Sequence, residues 1–181
     1  MGDDGIMYIQ IDTREKATEL KRIIPQIERS NIKWFKSKLY IGDYLNLDNP
    51  RLVIDRKKDL QEICGNVCQQ HERFQRELMR AREAGIHIVI LCEHGEDIKS
   101  LEDVKTWQNP RRQPRIAWVN GHRQKVVDSP NALTGEQLYK TLTTIHDRYN
   151  IDFEFCTKQE TGKRIVEILT RSKDDKESGR N

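Results

Sequence analysis

Apolar positions along the chain switch between the period of two that marks a strand and the 3.6 period that marks a helix. Residues 7–11 (MYIQI) read as a short apolar strand. After Asp12, Ala17, Leu20, Ile23, Ile24 and Ile27 share one helical face, and Ser30-Asn31 breaks it. Residues 32–39 alternate weakly as a strand, a turn containing Gly42 leads to a strand at 44–47, Asp48-Asn49-Pro50 signals a turn, and 52–57 is the next strand. The opening order is thus strand, helix and a three-stranded meander. Residues 59–83 predict two helical pieces divided near Gly65-Asn66, the second carrying Phe74, Leu78 and Ala81 and closing at Gly85. The continuous apolar run 86–92 (IHIVILC) has the composition of a strand buried on both faces. A helix is expected from 100 to 107, and another from 134 to 149, with Leu138, Leu142 and Ile145 in register behind a Thr134/Gln137 capping box. A strand at 151–156 and a helix at 161–170, which Thr161 would cap, complete an α/β class: a mixed central β-sheet flanked by helices.

Length and composition narrow this further. The 181 residues fit one domain, read as 1–171, and near-balanced charge (32 Lys+Arg against 29 Asp+Glu) argues against a wholly disordered chain. No apolar run approaches the roughly 18 residues of a membrane span, and Asp3 and Asp4 stand where a secretory signal would be basic. A cytoplasmic or nucleoid-associated protein, not secreted and with no membrane partner, is expected. Residues 172–181 contain no apolar side chain and read as a disordered tail.

Charge is unevenly placed. Between Lys105 and Val127 there are six basic residues and no acid, in a chain whose net charge is only +3, so the remainder is net acidic. The stretch also holds Trp107, Trp118, Pro110 and Pro114, and reads as a basic insertion over 105–130 with a hairpin around Asn120-Gly121. Such a segment suits a phosphate backbone, with tryptophans able to stack on unpaired bases. The alternative is that the tryptophans anchor the loop and its charges are merely solvated.

Three charged groups stand where strands end: Asp12-Thr13-Arg14-Glu15, Gly42-Asp43-Tyr44 and Asp55-Arg56-Lys57. In a strand Asp55 and Lys57 share a face, about 6.5–7 Å apart along the chain, with Arg56 on the other. The acid can hold a hard divalent cation, Mg²⁺ or Mn²⁺, and the lysine can neutralise charge on a phosphate. Asp43, from a neighbouring strand, can reach the same cation, and Asp12 and Glu15 can add ligands or support. Each group also has a plainer reading: an acidic capping box for Asp12 and Glu15, a turn for Gly42-Asp43, a solvated strand exit for 55–58. Cys64, Cys68 and His71 fall on one helical face, but a zinc site lacks an obvious fourth ligand, and a core stripe fits the same spacing. Thr161-Gly162-Lys163 lacks the glycines of a phosphate-binding loop, and Cys92-Glu93-His94 reads as structural.

In order and spacing, IDTRE, GDY and VIDRK followed by a helix resemble the XPF-type nuclease domain of the PD-(D/E)XK superfamily, whose pattern is V/I-D-x-R-E, G-D-Y and E-R-K-x-x-x-D. The resemblance extends over residues 7–170, through Gln69, Gln70 and Arg73, the strand IHIVILCE and Glu160-Thr161. It implies a restriction-endonuclease-like core and a DNA endonuclease that hydrolyses phosphodiesters with Mg²⁺ or Mn²⁺ to leave 5′-phosphate and 3′-hydroxyl ends, with structure selectivity left open. Asp12, Glu15, Asp43, Asp55 and Lys57 would be catalytic, with Asp43, Asp55 and Asp12 on the metal. DNA would be met by Arg14, Arg56, Arg73, Arg111, Arg112, Arg115, Lys125, Trp107 and Trp118, and work in repair or recombination is implied. Two positions depart from the pattern: Asp55 stands where Glu is usual, and Gln61 where the last acid is expected. The helix-hairpin-helix module such nucleases often carry has no room in this sequence. Two further readings stay open: a catalytically silent DNA-binding module or nuclease partner of the same fold, and a regulatory protein acting through the basic loop. A homodimer or a partner protein is compatible with all three.

Overall fold

The computed structural model describes residues 6–171. The tail at 172–181 lies outside the described residues. The chain runs β1 (Tyr8–Ile11), α1 (Ala17–Glu28), β2 (Lys33–Lys36), β3 (Tyr44–Asn46), β4 (Asn49–Lys57), α2 (Leu60–Cys68), α3 (His71–Glu83) and β5 (His87–Glu93). After two short 3-10 turns, Glu102–Thr106 and Pro110–Arg112, follow β6 (Pro114–Val119), β7 (His122–Val127), α4 (Gly135–Tyr149), β8 (Asp152–Cys156) and α5 (Thr161–Leu169). Six strands form one mixed sheet in the order β2-β1-β3-β4-β5-β8, while β6 and β7 make a separate two-stranded sheet. The mixed α/β class read from the sequence is the fold observed.

Burial on both faces follows from β5. Val89 and Leu91 pack with Leu20, Ile23 and Ile27 of α1 and Ile165 and Ile168 of α5. Ile88, Ile90 and Cys92 point the other way, into a core built with Leu60 and Ile63 of α2, Phe74 and Leu78 of α3, and Leu138 and Leu142 of α4. Burying a side chain of this kind is worth about 1.5–3 kcal/mol, and the alternation along a single strand ties both helical layers to it.

Several local expectations are corrected. The three-stranded meander does not form: β1 lies between β2 and β3, parallel to the first and antiparallel to the second. Ile9 and Ile11 are fully buried and need a strand on either side, whereas the mostly exposed KWFK of β2 suits an edge. The helix expected to break at Gly65-Asn66 runs on to Cys68, because Leu60, Ile63 and Val67 hold one buried stripe across the glycine. The turn expected at 48–50 is tighter: Asn46 Oδ1 accepts the Asp48 amide at 3.0 Å, and β4 resumes at Asn49. The helix expected at 100–107 is only the first 3-10 turn, since the chain becomes extended at Trp107, whose ring is in the core. The Thr134/Gln137 capping box forms as read. Thr161 does not cap α5, whose N-cap is Glu160.

Candidate active site

Strand β4 passes from apolar to charged along its length, and pleating sends its side chains to opposite sides. Val53 belongs to the α2/α3 core and Ile54 to the α1/α5 core, so Asp55 and Lys57 follow Val53 while Arg56 follows Ile54. Lys57 Nζ stands 2.9 Å from Asp55 Oδ2, and both side chains are nearly buried. Asp43 arrives from the segment just before β3. Gly42 (φ +70°) makes this approach feasible: a Cβ there would lie 2.9 Å from the Ile54 carbonyl oxygen. The Asp43 amide donates to that same carbonyl at 2.7 Å, and Asp43 Oδ2 accepts the Arg56 amide at 2.9 Å. Asp43, Asp55 and Lys57 thereby line one cleft of about 250 Å³, together with Glu15, Lys58, Glu62, Arg73 and Glu77.

The electrostatics of this cleft are unrelieved. Burial, then Asp55 and then Glu15 push the Asp43 carboxyl well above the usual carboxylate range. Burial works against the Lys57 charge, but Asp55, Asp43 and Glu62 outweigh it and hold the ammonium above its ordinary value. One oxygen of Asp43 and one of Asp55 have no hydrogen-bond or ion-pair partner among the described residues. Two crowded carboxylates, each with an oxygen to spare, fit a hard divalent cation, which commonly takes one or two protein carboxylates and keeps several waters. No cluster of three or more His, Cys, Asp and Glu that could hold a metal occurs among the described residues.

The opposite side of β4 carries an ionic network. Glu15 accepts from the Tyr44 hydroxyl (2.9 Å) and from Arg56 Nε and Nη2 (3.1 and 3.2 Å). Arg56 Nη1 reaches Glu93 Oε2 at 3.2 Å, and Glu93 Oε1 takes Arg22 Nη2 (2.8 Å) and the Thr161 hydroxyl (2.7 Å). Burial opposes the Arg56 charge, yet Glu15 and Glu93 more than offset it and raise its pKa.

Comparison with known proteins matches the ERCC4 domain over residues 11–168. The chain belongs to the ERCC4 domain family. No curated protein sequence matches it. The solved structures similar in fold include two of XPF. XPF from Aeropyrum pernix has a TM-score of 0.59 and 15% identity, with 95% of this chain and 69% of that one covered. XPF from Aeropyrum pernix in complex with DNA has a TM-score of 0.57 and 15% identity, with 90% of this chain and 62% of that one covered. Family and fold together support a DNA nuclease.

The other residues singled out in the sequence divide sharply within this ERCC4 domain. Arg73 lies in the cleft wall on α3. Asp12 does not join the cleft carboxylates. It is fully buried at the end of β1, with Oδ1 accepting from the Arg14 amide (2.7 Å) and Nε (2.6 Å) and Oδ2 from the Leu39 amide (2.6 Å). Burial raises its pKa, but these bonds prevail and hold it below the usual range. Both oxygens are engaged, Oδ2 with the 37–43 segment that delivers Asp43 and Oδ1 with Arg14. Nor do Asp12 and Glu15 make an acidic capping box, since α1 begins after Lys16 without a side-chain cap. Glu15 and Arg56 touch each other at the cleft edge rather than standing free for a metal or for DNA.

In the basic segment Trp107 is 6% exposed and packed in the core, so the anchoring alternative applies to it. Arg112 donates to the Ala132 carbonyl (2.8 Å), and Arg115 forms a two-pronged pair with Asp128. Arg111 lines a cavity of about 520 Å³ at the hairpin root with Cys64 and Cys68. Those sulfurs are 4.0 Å apart, and burial and the neighbouring thiol push Cys64 up to about 11. Cys68 is exposed and His71 bonds Gln75, so neither the zinc site nor a core stripe forms there. Trp118 and Lys125 are exposed on the β6–β7 hairpin. Sequence reasoning did not find Lys58 and Glu77 in the cleft. Glu77 lies one helical turn beyond Arg73, on the same face of α3, and that spacing was the available signal.

Proposed function

We propose that the chain is a divalent-metal-dependent DNA endonuclease that hydrolyses phosphodiester bonds in the cleft at the end of β4. The observation that carries this reading is the convergence of Asp43 and Asp55 beside Lys57, with Lys57 Nζ 2.9 Å from the Asp55 carboxylate. Asp43 and Asp55 would hold the cation, Mg²⁺ or Mn²⁺, which when bound supplies positive charge and Lewis acidity at the scissile phosphate. Lys57, kept charged by the surrounding acids, donates hydrogen bonds to the phosphate oxygens as negative charge builds on them. The Arg56 amide fixes one oxygen of Asp43, so the acid is oriented before substrate arrives. Arg73 and Lys58 in the cleft wall hold the phosphates on either side. Such an activity belongs to DNA repair or recombination.

The test is incubation with labelled single-stranded, duplex and flap DNA in Mg²⁺, Mn²⁺ or EDTA, beside Asp55→Ala. Metal-dependent cleavage lost in the variant is expected, and the preferred DNA form reads out any structure selectivity. Cleavage in EDTA, or full activity of Asp55→Ala, would remove the assignment. DNA retention without cleavage in any metal would make the chain a silent binding module.

A further inference from the structure

The β6–β7 hairpin stands apart from the sheet, its strands bonded to each other and to no third strand. Asn120 (φ 51°) and Gly121 (φ 79°) form its two-residue turn, a left-handed pair that matches the twist of a hairpin. The register fixes what each face carries, because directly paired residues of antiparallel strands project to the same side. Trp118 pairs with Arg123, Ile116 with Lys125 and Pro114 with Val127. All six are exposed, Trp118 at 73% and Ile116 at 61%. The half-buried Ala117, Val119 and Val126 lie on the opposite face. This inverts the usual arrangement, in which the bulkier apolar face of a hairpin turns inward.

Charge says what the exposed face can meet. Neither Arg123 nor Lys125 has an ion-pair partner among the described residues, whereas Arg115 on the other face is neutralised by Asp128. An aromatic ring flanked by two free cations, in a segment without acids from 105 to 127, is complementary to a polymer that alternates π-faces with phosphates. Placement agrees: α2 presents Glu62 to the active-site cleft and Gln61, Cys64 and Gly65 to the cavity at the hairpin root. The hairpin root and the cleft thus lie on either side of one short helix.

We infer that the Trp118 face of the β6–β7 hairpin is a docking site for single-stranded DNA, with an unpaired base stacked on Trp118 and the adjoining phosphates met by Arg123 and Lys125. The inference rests on the reading of the chain as a protein that acts on DNA, but not on its cleavage chemistry. Paired bases offer no free face to the indole, so duplex gains only the charge contribution.

The test is fluorescence anisotropy of a labelled oligothymidylate and of a duplex, in EDTA, where no cleavage intrudes. Trp118→Ala should weaken single-strand binding about tenfold, the scale of one base–aromatic stack, and Trp118→Phe should restore most of it. Duplex binding should change little. Arg123→Ala with Lys125→Ala should flatten the log–log salt dependence of single-strand binding by about 1.4, for two phosphate contacts. Single-strand affinity unchanged by Trp118→Ala would overturn the proposal. So would a shift by Trp118→Ala from dimer to monomer in sedimentation at unchanged DNA affinity, which would give the face to a second copy. A wild type that binds oligothymidylate through Trp118 but never cleaves would sink the nuclease reading and leave this one standing.

Discussion

The two sides of strand β4 carry the same kinds of residue in opposite electrostatic states. Toward α1 and α5, Arg56 is enclosed by Glu15 and Glu93, with Arg22 and Thr161 completing the bonds of Glu93. Two arginines are shared among three acids there, Glu19 meeting Arg22 at 2.6 Å and Arg56 at 3.8 Å, and the groups hold one another in place. Toward α2 and α3, Asp43 and Asp55 share a cleft in which Lys57 pairs with Asp55 and the Arg56 amide bonds Asp43, and the acids repel. The difference separates scaffold from site. Acids paired with arginines are held in place, while an acid pair with one lysine beside it keeps an oxygen on each acid for a cation from outside.

Substitutions on each side should act in opposite ways. The largest effect is expected from Asp43→Asn. It keeps an acceptor for the Arg56 amide but removes the repelling charge, so cleavage should fall about 10³-fold, the scale of losing one preorganised electrostatic group. Its melting temperature in EDTA should rise, and a fall would erase the contrast between the two sides. Next is Glu93→Ala, which leaves Arg56 and Arg22 without their shared buried partner and should lower stability by about 3–5 kcal/mol in urea melts. A loss below about 1 kcal/mol would mean that the network contributes little.

Asp12→Ala orphans the Leu39 amide and should lower stability by about 1–3 kcal/mol. Because the folded pKa of Asp12 is depressed, its contribution is complete above the ordinary carboxylate range and is lost as pH falls through the folded value. Acid melts of wild type against Asp12→Asn, converging at low pH, would check this. The smallest effect belongs to Asp43. Its folded pKa is raised, so the native state holds a proton that the unfolded chain has released. Without metal, stability should therefore decline as pH rises from the ordinary carboxylate range through the folded value. The rise in melting temperature on adding Mg²⁺ should grow over the same interval, and a pH-independent rise would contradict binding at the acid pair.

The hairpin sets a second contrast, between two tryptophans of one basic segment. Nothing in the local sequence distinguishes Trp107 from Trp118, yet one ring is in the core and the other is the most prominent exposed aromatic of the hairpin. The deciding factor lies elsewhere in the chain: Val104, Leu138 and Leu142 offer Trp107 an apolar bed, and Trp118 sits on a strand with no layer above it. The cleft was legible earlier because its signals are local. Asp55-Arg56-Lys57 needs only the pleat of one strand to separate acid and lysine from arginine, and Gly42 before Asp43 marks a close approach that other residues cannot make. Asp12 was misleading for the opposite reason, since its Leu39 partner is 27 residues away.

The periods of the apolar positions, the turn residues and the order of the charged strand ends were determined by the sequence alone, because each rests on interactions within a few residues. Those local rules specify an α/β chain whose acids and lysine stand at strand ends. Strand order was decided only by tertiary structure: β1 entered between β2 and β3 because its two isoleucines needed cover that the chain's own order would not have provided. The same long-range packing chose which acids would be closed off by arginines and which would face the cleft. A carboxylate's character is set by the partners that folding brings to it, and those partners come from distant parts of the chain.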